Sequence, residues 1–138
     1  MAVHAYIIHE DASMTGVNLG AGATVEHAVD ELKMQMRGCA FVEFDMAACE
    51  DGRSWTIIMD EEAPYHQSMN TGMGGYLMQL ERPWYGKLAV VLVADDERET
   101  LCDLPAPPVP GNNPIAIYEH LTEFRNAWRR AHALPDAK

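Results

Sequence analysis

Basic residues are scarce in this chain: ten Lys and Arg stand against 21 Asp and Glu over 138 residues, a formal charge of −11. Such a balance repels nucleic acid and anionic lipid at long range and favours encounter with a basic protein or a cation. Direct DNA or RNA binding is therefore disfavoured. No Lys or Arg precedes Lys33, so the N-terminal stretch lacks the positive region of a secretory signal. The longest apolar run, Leu88 to Ala94, falls far short of the roughly 20 residues a membrane-spanning helix needs. A cytoplasmic protein with no membrane partner is expected. Cysteines are few and widely spaced at Cys39, Cys49 and Cys102, with no Cys-x-x-Cys, which argues against a disulfide framework or a zinc ribbon. Reduced, mostly buried thiols are the expectation.

What the chain does have is a globular composition. Hydrophobic residues at 48% and charged residues at 22% are near the average for folded domains, and the length suits a single domain, 1–138, with one core. Val3 to His9 is β-branched and aromatic and reads as a strand. A Gly-rich stretch with Gly16, Gly20 and Gly22 follows, then Thr24 as a cap for a helix from Val25 to about Arg37. Val25, Ala28, Val29, Leu32 and Met36 share one face of it. Ala40 to Met46 alternates, with Val42, Phe44 and Met46 on one face and Phe41, Glu43 and Asp45 on the other. Ser54 to Asp60 is its hairpin partner across an Asp51-Gly52 turn. Residues 61–75 show no regular pattern. Tyr76 to Glu81 and Lys87 to Ala94 form a second hairpin, with Trp84 and Tyr85 near its tip, and the latter strand is apolar enough to be central.

A Pro-rich connector leads to Asn113, which can cap a last helix carrying Ile117, Leu121, Phe124, Trp128 and Ala131 on one face. Strand, helix, two strands, loop, two strands and helix give the α+β class. The expectation is a mainly antiparallel sheet of about five strands with two helices packed on one face.

Catalytic signals are thin. Gly20, Gly22 and Thr24 resemble the start of a phosphate-binding turn, but Val25 replaces the third glycine and no Gly-Lys-Ser/Thr follows. His4 and His9 fall on opposite faces of a strand, and no His-Glu-x-x-His spacing occurs. No serine has a Gly-x-Ser-x-Gly setting. Neither a cofactor nor a metal is expected, and an enzyme or ligand-binding domain built on the loop from Gly16 to Thr24, with His9 or His27 nearby, stays as an alternative.

The charge is uneven. Residues 1–62 hold twelve acids and three bases, for −9, and residues 63–138 only −2. Glu43 and Asp45 on the outward face of one strand, with Asp60, Glu61 and Glu62 at the end of its partner, make a candidate acidic patch, which leaves the apolar row Val42, Phe44 and Met46 to face the core. The other reading is a solvated sheet face. Trp84 and Tyr85 are candidate aromatic anchors for a partner, or rings folded over the core.

The order of signals, from the Thr24-led helix through the Gly72-Met73-Gly74-Gly75-Tyr76 turn, the Trp84-Tyr85 step and the final Glu123-Phe124 helix, resembles bacterial polymorphic-toxin immunity proteins, and more narrowly the family that includes inhibitors of deaminase toxins. The connector Pro105 to Pro110 departs from that pattern. The resemblance implies a small cytosolic protein that binds one toxin domain and blocks its active site without catalysis of its own. Nuclease and deaminase toxins are basic where they meet phosphate, which suits an acidic inhibitor. A phage-type inhibitor of a nucleic-acid-binding defence complex shares the same charge logic.

Overall fold

A computed structural model describes residues 3–11, 13–36, 39–66, 68–70, 84–107 and 121–132. Five strands form one antiparallel sheet: β1 (Ala5–Ile8), β2 (Met14–Val17), β3 (Val42–Ala48), β4 (Ser54–Asp60) and β5 (Leu88–Val93), in the order β2-β1-β5-β4-β3. Among the described residues three helices accompany them: α1 (Val25–Gln35), the single turn α2 (Ala63–His66) and α3 (Thr122–Ala131). The class is α+β, as expected.

The two long helices lie on opposite faces of the sheet, which corrects the expectation that they share one. Val25, Ala28, Leu32 and Met36 of the first helical segment pack with Ala5, Ile7, Ala89, Val91 and Val93. Leu121, Phe124, Ala127 and Trp128 pack with Tyr6, Ile8, Leu88, Val90 and Leu92. The physical reason is in the central strands. Every residue of β1 and of β5 is buried, so these strands are apolar on both faces and need a cover on each. A one-sided sheet would have left half of those side chains in water. The chain changes sides through residues 100–107: Leu101 joins the α1 side while Leu104 joins the α3 side. That crossing is tied down by Leu104 N–H to Val3 O at 2.7 Å, by His4 Nε2 to Asp103 at 3.1 Å and by Tyr6 Oη donating to Pro105 O at 2.6 Å.

Strand β2 falls where the sequence suggested only a glycine-rich loop. Gly16 pairs with Tyr6 inside the ladder. A side chain there would meet Pro107 Cδ at 2.7 Å, so glycine serves close approach rather than a turn. The β3–β4 turn is as expected: Gly52 takes φ +90°, which glycine adopts without strain. Both the expected strand Tyr76–Glu81 and the start of the last helix at Asn113 lie outside the described residues.

The helices do not cover the sheet evenly. α1 lies over β5 and the margin of β4, whereas α3 lies over β3 and β4. Edge strand β3 is consequently covered on the α3 side and open on the α1 side.

Candidate functional site

Ladder partners in a sheet share a face. Glu43, Asp45 and Ala47 stand opposite Met59, Ile57 and Trp55, all on the α3 side. Val42, Phe44 and Met46 stand opposite Asp60, Ile58 and Thr56 on the α1 side. The alternation expected for this strand is present, but its apolar face points to the uncovered side. Phe44 is 47% exposed and Met46 62%, and Phe41 just ahead of the strand is 65% exposed. Asp45, expected to face water, keeps 12% of its side chain exposed and sits 3.9 Å from His132 Nε2. That imidazole stacks on Trp128 at 3.8 Å and donates from Nδ1 to Trp128 O at 2.9 Å.

The five acids proposed as one patch do not all face water together: Asp45 is largely buried on the α3 side and Asp60 on the α1 side. Glu61 and Glu62 are exposed together just past the end of β4, next to Phe41, whose carbonyl accepts from Glu61 N–H at 3.0 Å. Glu43 is exposed on the α3 side, away from Phe44 and Met46. Asp60 is 2% exposed, and its Oδ1 accepts from Glu62 N–H at 2.9 Å. Trp84 is 1% exposed and meets Trp128 edge-on at 6.0 Å between ring centroids, so it belongs to the core rather than to an exposed tip. Tyr85 is half-buried and bridges to Met69.

The outer edge of β3 is the second component of the surface. Cys49 N–H donates to Arg53 O at 2.7 Å and Glu61 N–H to Phe41 O at 3.0 Å, which fixes the alternation of the ladder between them. Odd-numbered residues from 41 to 49 bond to β4. Val42, Phe44, Met46 and Ala48 direct their backbone N–H and C=O outward, where no described residue pairs with them. Sequence reasoning missed this surface because it treated an alternating apolar row as core. The available signal was position: a strand ending a hairpin beside an irregular segment is a candidate edge.

Other sites carry less. A cleft of about 580 Å³ lies between the β3–β4 turn and α3, and its charges answer one another. Arg53 Nε meets Asp51 at 2.7 Å, and Arg53 Nη2 lies 3.9 Å from Glu123. Burial pushes the thiols of Cys49 beside this cleft and of nearby Cys102 up, so neither is a ready thiolate at neutral pH. At the N-terminus of α1, Val25 N–H donates to Glu99 O at 3.1 Å and Thr24 N–H to His27 Nδ1 at 3.0 Å. Those amides, which a phosphate would need, are engaged within the chain. Among the described residues no group of three or more His, Cys, Asp or Glu could hold a metal ion, and no helix is long and apolar enough to cross a membrane. Comparison of the chain with family models, curated proteins and solved structures finds no match.

Proposed function

We propose that this chain is a non-enzymatic binding protein that holds a basic protein against the open side of β3 and inhibits it by occupying its working surface. One observation carries the reading: Phe44 and Met46 form an exposed apolar row on the uncovered side of an edge strand. Unpaired apolar faces of this kind mark docking surfaces when charged residues rim them. Here Glu61 and Glu62 rim one end and Glu50 the other, on a chain of charge −11. A partner that must bind phosphate presents the complementary surface, basic at its rim. The resemblance to polymorphic-toxin immunity proteins agrees with this chemistry and names a nuclease or deaminase toxin as the partner. Long-range attraction would speed association, and apolar contact at the centre would slow dissociation.

The test is photocrosslinking from position 46 in the native host, with position 15 on β2 as the control. The captured protein is then purified and titrated against wild type and variants. A basic partner whose affinity falls on Phe44→Asp with Met46→Asp, and whose association slows on Glu61→Lys with Glu62→Lys, supports the reading. Equal capture from positions 46 and 15, or a partner indifferent to both pairs of substitutions, overturns it.

A further inference from the structure

We infer that the partner contributes an extended segment of about seven residues that adds to the sheet as a sixth strand along the outer edge of β3. This rests on the partner-binding reading above and specifies its geometry. Unprotected edges invite strand addition, and proteins that avoid it place Lys, Pro, a bulge or a very short strand there. None of those four is present, although Glu43 and the inward-turned Asp45 put two carboxylates on the α3 side of the strand, away from Phe44 and Met46. Residues 41 to 48 contain no Lys and no Pro, and the ladder to β4 runs through seven consecutive pairs without a bulge. The strand is long enough to register about 23 Å of an added chain. Its outward groups are the N–H and C=O of Val42, Phe44, Met46 and Ala48, a full set for an antiparallel or parallel neighbour.

The side chains around that edge define the occupant. Phe44 and Met46 project on the α1 side, so the added strand places apolar residues at every second position beside them. Glu61 and Glu62 stand past one end and Glu50 past the other, all exposed, so the segment carries Lys or Arg at both ends. A second copy of this chain fits poorly. Antiparallel pairing of β3 with itself about Phe44 sets Glu43 opposite Asp45 of the copy, and pairing about Asp45 sets that carboxylate opposite its own copy. Both of those registers bring like charges together, and pairing about Met46, which sets Asp45 opposite Ala47 of the copy, still joins two bodies of charge −11.

The probe is the peptide Lys-Lys-Val-Thr-Val-Thr-Val-Lys-Lys, with two N-methylated forms, one blocked on alternate amides and the other on the intervening ones. Binding to the full chain is followed by amide hydrogen exchange and by titration. Strand addition predicts that the amides of Phe44 and Met46 exchange freely alone and slow by about tenfold or more when peptide binds, and that one methylated form binds while the other does not. Met46→Pro removes an outward donor without touching the β4 ladder, so it should weaken the peptide by about tenfold beyond Met46→Ala. No binding at about 1 mM peptide overturns strand addition. So does binding with equal loss from both methylated forms, or without protection of those amides, since the contact is then made by side chains on the face. In that event a captured partner that still senses Phe44→Asp with Met46→Asp leaves the underlying reading intact, and one that ignores them removes it too.

Discussion

Replacing Trp84 by Ala separates a core ring from an interface anchor, and the structure makes the size of the effect specific. The indole is 1% exposed, belongs to the cluster under α3, and packs edge-on against Trp128. Truncating a buried Trp removes its transfer free energy and leaves a cavity, together about 3 to 5 kcal/mol. The edge-on aromatic pair adds a coupling of about 0.5 to 1.5 kcal/mol between positions 84 and 128. For a chain of this size, about 4 kcal/mol lowers the melting temperature by roughly 12 °C. Urea unfolding of wild type, Trp84→Ala, Trp128→Ala and the double variant measures both quantities through a double-mutant cycle. A loss under about 1 kcal/mol for Trp84→Ala, or additive single losses, would refute the placement of this ring in the core. A variant of unchanged stability that dissociates faster from its partner would restore it as an anchor.

Further outcomes follow from particular contacts. Asn70 is fully buried, and its Nδ2 donates to Gly86 O at 2.8 Å and to Ile8 O at 3.1 Å, so Asn70→Ala should cost about 2 to 3 kcal/mol in urea unfolding. Gly16→Ala drives a methyl into Pro107 and should destabilise by about 1 to 3 kcal/mol in the same assay, although alanine has no conformational difficulty in a strand. Burial, and then Lys87, holds the pKa of His9 below the ordinary imidazole value of 6.5. The unfolded chain then binds this proton more readily, so the contribution is present above pH 6.5 and is lost as pH falls through the folded value. A His9→Gln variant should show a shallower decline of stability across that window, and NMR titration should place the His9 transition below 6.5.

The elements legible in the sequence were those whose local signals agreed with their surroundings. α1 follows from Thr24 and the spacing of Val25, Ala28 and Leu32, and the β3–β4 hairpin follows from Asp51-Gly52. The layering was also written in the chain but misread. The unbroken apolar run of β5 already requires cover on both faces, which a sheet with one wet face does not provide. β2 was illegible because Gly16 looked like a turn residue, and only the approach of Pro107 from a distant segment explains it. The exposed apolar row of β3 was hidden for a related reason. Whether Phe44 or Asp45 is inside depends on which side of β3 a helix covers, and that is set by α3, about 80 residues later in the chain. Charge counting placed Asp60 in a patch, whereas its backbone register turns it inward as the acceptor for Glu62 N–H.

The most direct measurement is a hydrogen-exchange footprint of the full chain with its captured basic partner. The account predicts that protection gained on binding falls on residues 41–48 and 61–62, with the amides of Val42, Phe44, Met46 and Ala48 gaining most and those of Glu43 and Asp45, already bonded to β4, gaining little. Protection centred on the cleft between the β3–β4 turn and α3, with the amides of β3 unchanged, would contradict it.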